Sequence, residues 1–162
     1  MEFSAILSVV QGWLFLLILF GVSLAYVLFR GRQHLINLMV GQYIALLFLQ
    51  LFPYTEMVTD AFPGKQGEAT GTLGIFLIFT ILSTWLFSRL MPREYLEKTF
   101  ESFGKKILLA IASTVLLMTL ATHHLPIGEL INIGTPLPPM LLTSELGFLW
   151  LVLTLVLLFF LA

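Results

Sequence analysis

Five segments of this chain carry no Asp, Glu, Lys or Arg: Phe3 to Phe29, Leu35 to Thr55, Ala69 to Ser88, Ile107 to Gly128 and Leu146 to Ala162. Each reaches or approaches the ~20 residues that a helix rising 1.5 Å per residue needs to cross ~30 Å of hydrocarbon. A globular core does not use apolar runs of this length in succession, so the expected fold is all-α, a polytopic membrane helical bundle. Composition agrees: 10 % of the residues are charged and 59 % hydrophobic, against about 25 % charged in an average soluble domain. A single domain over residues 1–162 is expected, with transmembrane spans at about 7–29, 35–53, 71–91, 107–123 and 145–162. Little chain is left outside them, so function is expected in the bundle or its loops. Ser23 and Ala25 mimic a signal-peptide cleavage site. However, Met1-Glu2 offers no basic start and the apolar run exceeds the ~7–15 residues of a signal sequence, so this run is expected to stay as a span.

The positive charges give the sidedness. Of the eight Lys and Arg, all but Lys65 fall in two segments, Arg30 with Arg32, and Arg89, Arg93, Lys98, Lys105 with Lys106. Multi-pass chains keep Lys and Arg on the cytoplasmic side, which puts these two segments inside. The N-terminus, Pro53 to Gly71 and His123 to Glu145 are then expected outside. Aromatic residues fit interfacial belts, with Trp13, Tyr54 and Trp150 outer and Tyr26, Trp85 and Tyr95 inner.

Between the third and fourth spans, Leu96, Phe100, Phe103 and Ile107 recur at helical spacing, which predicts one amphipathic helix over Pro92 to Lys106 lying along the cytoplasmic interface. A connector is preferred for it over a sensor or partner dock. Outside, Phe62-Pro63-Gly64 signals a turn. Pro126, Gly128, Gly134, Pro136, Pro138 and Pro139 make an apolar stretch that cannot be a regular helix. It is expected to pack across the outer mouth of the bundle or dip into it, shielded from lipid.

No Asp, Glu, Lys, Arg or His lies in the middle of a span, which argues against proton relays, ion-coupled carriers and voltage sensors. The polar groups within the spans are chiefly Asn37, Gln42, Tyr43 and Gln50 in the second, and Thr80, Ser83, Thr84, Ser113, Thr114 and Thr119 in the third and fourth. Gln42, nearest mid-depth, is expected to bond a neighbouring helix for roughly 0.6–2 kcal/mol. Gly21 with Ala25, and Gly41 with Ala45, are small pairs four residues apart that let backbones approach. They are expected to pack the first two spans against each other, in preference to a second subunit.

At the outer face, His123 and His124 lie near Glu129 and Glu145, with Glu56, Asp60 and Glu68 on the other outer loop. The histidines are adjacent rather than four apart and no H-E-x-x-H is present, so polar caps are preferred to a metal site. Cysteine is absent, as are G-x-S-x-G and phosphate-loop motifs. The expectation is no catalytic residue, no metal, no cofactor and no enzymatic activity. The partners expected are the lipid bilayer and other membrane proteins or a second copy of the chain, with no nucleic acid.

The passage Ser23-Leu-Ala-Tyr-Val-Leu-Phe-Arg-Gly-Arg-Gln-His-Leu-Ile-Asn-Leu-Met-Val-Gly-Gln-Tyr-Ile-Ala45 resembles the bacterial CvpA (colicin V production) family, whose first span ends in an Arg-Gly pair, here Arg30-Gly31. The plan is also similar over residues 13 to 122, with a basic inner segment ending in a Phe-Gly motif, here Phe103-Gly104. The family commonly has a further Arg-Gly or Lys-Gly after that motif, where this chain has Lys105-Lys106-Ile107. The Pro-rich outer stretch and the fifth span have no counterpart in it. The resemblance implies a non-enzymatic protein of the bacterial inner membrane, a scaffold or accessory component in envelope maintenance or secretion. The alternative is an oligomeric channel or transporter subunit, lined by Gln42, Asn37 and the hydroxyls of the third and fourth spans.

Overall fold

The computed structural model describes residues 2–62, 64–90, 101–127 and 144–161, and all regular structure among them is helical. The helices are α1 (Glu2–Arg30), α2 (Arg32–Leu51), α3 (Thr55–Asp60), α4 (Lys65–Leu90), α5 (Glu101–Thr119) and α6 (Ser144–Leu161). A π-helical turn, Leu120–His124, continues α5 without a break. Four helical stretches are long and apolar enough to cross a membrane, Gly12–Arg30, Arg32–Leu51, Lys65–Leu90 and Phe103–His124. The chain is therefore a helical-bundle membrane protein. α6 is as apolar but shorter, its 18 residues rising about 27 Å.

Gly31 alone joins α1 to α2. Its φ of 88° and ψ of 165° belong to a region that side chains other than hydrogen rarely enter, and its N–H donates to Val27 O at 3.0 Å. The Arg-Gly pair of the sequence is thus a one-residue corner. α2 stops where Pro53 pushes the residue before it out of the helical region; Phe52 is extended, with φ −73° and ψ 112°.

α2 pairs most closely with α4. Gly41 lies against Thr80 and Thr84, and the Phe79 ring meets those of Phe48 (tilted) and Phe52 (edge to face), each at 5.5 Å between centres. These contacts climb α2 while descending α4, so the two helices are antiparallel. α5 is the central helix, packed on α1, α2 and α6, with Leu109, Ala110 and Leu116 fully buried. Ser23 of α1 donates to Ser113 Oγ of α5 at 3.3 Å. Tyr43 of α2 donates to Leu151 O of α6 at 2.7 Å and touches Thr154 Oγ1. Outward faces are apolar: Leu17, Val22, Phe29, Leu51, Ile78, Ile81, Phe159 and Phe160 are all more than half exposed. In water such a surface would aggregate, whereas in lipid it is the solvated one.

Several elements depart from the sequence expectation. The glycines of the two small pairs do not meet between the first two spans. Gly41 and Ala45 face inward, and Gly41 meets α4; Gly21 is exposed, with nothing within 4 Å of a Cβ built there. Of the loop expected over Pro53 to Gly71, residues 55–60 form α3 and α4 begins at Lys65. Gly67 and Gly71 are helical because α3 and its exit fold back onto them. A Cβ at Gly67 would lie 2.5 Å from Phe62 O, and one at Gly71 3.5 Å from the Phe62 ring. The described part of α5 runs from Glu101, so Phe103-Gly104 and Lys105-Lys106 are continuous with the helix of the fourth span. Residues 92–100 of that amphipathic segment, and residues 128–143 with most of the Pro-rich stretch and Glu129, lie outside the described residues.

Candidate functional site

Charge divides the bundle lengthwise. Gly31 places Arg30 and Arg32 at one end, and the antiparallel course of α4 and α5 brings Arg89, Lys105 and Lys106 to the same end. Arg89 caps it, its guanidinium 5.2 Å from the Trp85 ring centre. Asp60, Lys65, Glu68, His123, His124 and Glu145 occupy the opposite end.

Between the ends the buried polar groups are amides and hydroxyls, with no Asp, Glu, Lys, Arg or His among the buried described residues. Most of the hydroxyls have partners. Thr114 donates to Ala110 O at 2.8 Å and Thr119 to Val115 O at 2.8 Å, each the carbonyl four residues back in its own helix. Ser23 and Ser113 pair with each other, and Asn37 accepts from Gln33 Nε2 at 3.3 Å. Tyr43, Leu151 and Thr154 form the polar tie between α2 and α6.

The exceptions lie on α2 and α4. Gln42 Oε1, Thr80 Oγ1 and Thr84 Oγ1 are buried without a hydrogen-bond partner. Gln42 is about 100° around α2 from Gly41, at the edge of the face that meets α4, and is 5 % exposed. Leaving such an atom unpaired in an apolar interior costs about 1–3 kcal/mol. The interhelical bond expected of Gln42 is thus not formed through its carbonyl oxygen.

A second feature lies at the C-terminal end of α5, away from the arginines. A cleft of about 220 Å³ opens between α1, α5 and α6, lined by Leu16 and Phe20 of α1, by Val115, Met118 and Thr119 of α5, by Thr122 and His123 of the π turn, and by Trp150 of α6. A smaller cleft of about 140 Å³ continues it along α5 past Leu108, and the two share Ile111, Val115 and Trp150. Neither is lined by Gln42, Asn37 or the hydroxyls of α4, whereas Thr114 and Thr119 of α5 line the larger and Thr154 of α6 the smaller.

His123 reaches this cleft through two local features. The π turn, closed by Leu125 N–H donating to Leu120 O at 2.8 Å, inserts a residue into the helical register. Gly147 of α6 leaves room for the ring, since a Cβ there would sit 2.8 Å from the imidazole. The ring centres of the two histidines are 6.5 Å apart, and only His123 lines the cleft. Among the described residues no group of three or more His, Asp or Glu could hold a metal. The tyrosine tie and the His123 cleft escaped the reading of the sequence. Tyr43 within the second span and a lone glycine early in the last apolar run, Gly147, were their visible signs.

No family model, no curated protein and no solved structure matches this chain.

Proposed function

We propose that the chain is a non-enzymatic scaffold or accessory protein of the bacterial inner membrane, acting in envelope maintenance or secretion as the CvpA resemblance implies. It would sit with its N-terminus outside and its basic end in the cytoplasm. One observation carries this reading: the buried polar groups mostly join helix to helix or helix to itself, and none is ionised. Ser23 with Ser113 and Tyr43 with Leu151 are links between helices, of the kind that fix a bundle's shape. A shape held this way presents outward faces to lipid and to neighbouring membrane proteins.

A second reading, an oligomeric channel or transporter subunit, draws support from the unpartnered oxygens of Gln42, Thr80 and Thr84. A polar solute or water could satisfy them. Reconstitution separates the two. Under the scaffold reading, vesicles carrying the protein leak ions and small polar solutes no faster than protein-free vesicles. Gln42→Leu, which removes an unpaired oxygen, then folds at least as stably as the parent. Solute flux that disappears in a well-folded Gln42→Leu protein would replace the scaffold with the channel.

A further inference from the structure

The cations at the arginine end fall at one depth. Lys106 precedes Ser113 on α5 by as many residues as Arg30 follows Ser23 on α1, and the two serines are hydrogen-bonded, so Lys105 and Lys106 stand level with Arg30 and Arg32. Gly41 lies against Thr80 and Thr84, which sets Arg89 of α4 opposite His34 of α2, within one helical turn, about 5.4 Å, of the same level. From Lys106 to His123 the helix rises about 26 Å at 1.5 Å per residue, close to the ~30 Å of a bilayer's hydrocarbon. Five cations on four helices therefore stand where hydrocarbon gives way to headgroups.

Charge at this level is mainly positive. Of the described acids only Glu101 lies at this end, and residues 91–100, between α4 and α5 in sequence, contain two acids and two cations. Arg30, Arg89 and Lys105 are exposed. Toward the middle of the bundle each is followed by exposed apolar surface: Phe29 beside Arg30, Trp85 and Leu86 beside Arg89, Leu108 beside Lys105. A cation with exposed hydrocarbon directly inward of it matches a phospholipid, whose phosphate sits at the membrane edge and whose acyl chains run inward from there. A soluble acidic protein would meet the charges but not the apolar faces.

The match is most complete on α4. The Arg89 guanidinium lies 5.2 Å from the Trp85 ring centre, a cation–π contact that holds it at headgroup level. The ring supplies no oxygen acceptor, so the guanidinium's N–H fork remains for the paired oxygens of a phosphate.

We infer that the arginine end of the bundle binds anionic phospholipid, with a phosphodiester headgroup at Arg89 and Trp85 and acyl chains against Leu82 and Leu86 of α4. A zwitterionic lipid carries the same phosphate, but its own ammonium offsets the attraction of the surrounding cations. The site needs only the membrane-spanning bundle, so it holds for a scaffold and for a transport subunit alike.

Trp85 reports on this site. The chain has three tryptophans, so Trp13→Phe with Trp150→Phe leaves Trp85 as the sole fluorophore. This protein is reconstituted into phosphatidylcholine vesicles doped in turn with phosphatidylglycerol, phosphatidylethanolamine or phosphatidylcholine, each dibrominated in its acyl chains. Half-quenching is expected at a mole fraction of phosphatidylglycerol about fivefold below that of the other two, the preference that one basic residue confers at an anionic surface. Arg89→Gln should carry the phosphatidylglycerol curve onto the phosphatidylcholine one, whereas Arg89→Lys should keep most of the preference. If Arg89→Gln loses its helical circular dichroism, salt at about 1 M makes the same comparison without a substitution, because it screens exposed charge beyond about 3 Å.

Coincident curves for the three lipids would overturn the assignment. So would a phosphatidylethanolamine curve that follows phosphatidylglycerol, since net charge would then not be what is read. An Arg89→Gln protein that keeps the full preference would place the lipid elsewhere and reject the site. Protection of Trp85 from every brominated lipid would mean that protein covers this end, and would equally reject it.

Discussion

Replacing Gly41 by Ala tests the contact on which the α2–α4 pair depends. The added methyl would collide with Thr84 Oγ1, and would lie 3.0 Å from Thr84 N and 3.3 Å from Thr80 O. The hydroxyl can rotate away, but the two backbone atoms move only if α4 moves. Overpacking of this kind costs about 1–3 kcal/mol. Against it stands the gain of up to about 1 kcal/mol that any Gly→Ala change brings inside a helix. Gly21→Ala supplies the control, because Gly21 is also mid-helix and has nothing within 4 Å. The propensity gain cancels between the two variants, so Gly41→Ala should be less stable than Gly21→Ala by about 1–3 kcal/mol, roughly 5- to 150-fold in the unfolding constant. Reversible unfolding in mixed micelles, followed by circular dichroism, measures the difference. A Thr84→Ala background removes the nearest obstructing atom but leaves the backbone, so the cost of Gly41→Ala should fall there by at least ~0.5 kcal/mol without vanishing. Equal stability of the two glycine variants, with strict additivity in the Thr84→Ala background, would show that α2 and α4 do not meet at Gly41.

Gly31→Ala should destabilise by about 1–3 kcal/mol in the same assay, the cost of holding a side chain in a glycine-only region of backbone space; Gly104→Ala, at an exposed helical position, should not. Tyr43→Phe should lose about 0.6–2 kcal/mol by cutting the tie to α6. Adding Thr154→Ala should cost less than its own single effect, since the two side chains share one contact. For orientation, a cysteine introduced at Gln66, an exposed position in the first turn of α4, should react with an impermeant thiol reagent in intact cells. Reaction only after permeabilisation would invert the topology drawn from the basic residues.

The long apolar helices and the split of charge between two ends were legible because both depend on side-chain chemistry summed over long windows. The apolar runs are too long for anything but spans, and Arg30-Gly31 marks a corner by composition alone. What was not legible depends on neighbours. Gly21 with Ala25 and Gly41 with Ala45 are the same pattern, yet only the second has a helix opposite it. Gly67 and Gly71 lower helix propensity and so read as loop, whereas in the fold they make room for Phe62 and Thr59. Tertiary contact outweighs a preference of about 1 kcal/mol per residue. The π turn at Leu120–His124 is a one-residue slip in hydrogen bonding that no hydrophobic period records, and with it the placement of His123 was hidden. The tie from Tyr43 to Leu151 joins residues 108 apart, and half of it is a backbone carbonyl, which every residue carries.

The single-residue joint at Gly31 has a mechanical result for the depth at which α1 sits. With no slack between them, α1 and α2 share one level at the arginine end. α1 has 29 residues and α2 has 20, so at 1.5 Å per residue α1 outruns α2 by about 14 Å. That surplus cannot be hidden at the joint. It is either tipped into the bilayer as tilt or raised past the far headgroups. A thinner membrane lifts the N-terminal turns and a thicker one draws them in, while the two arginines hold their level. The level of the amino-terminal turns of α1 thus follows bilayer thickness while the arginine end stays fixed.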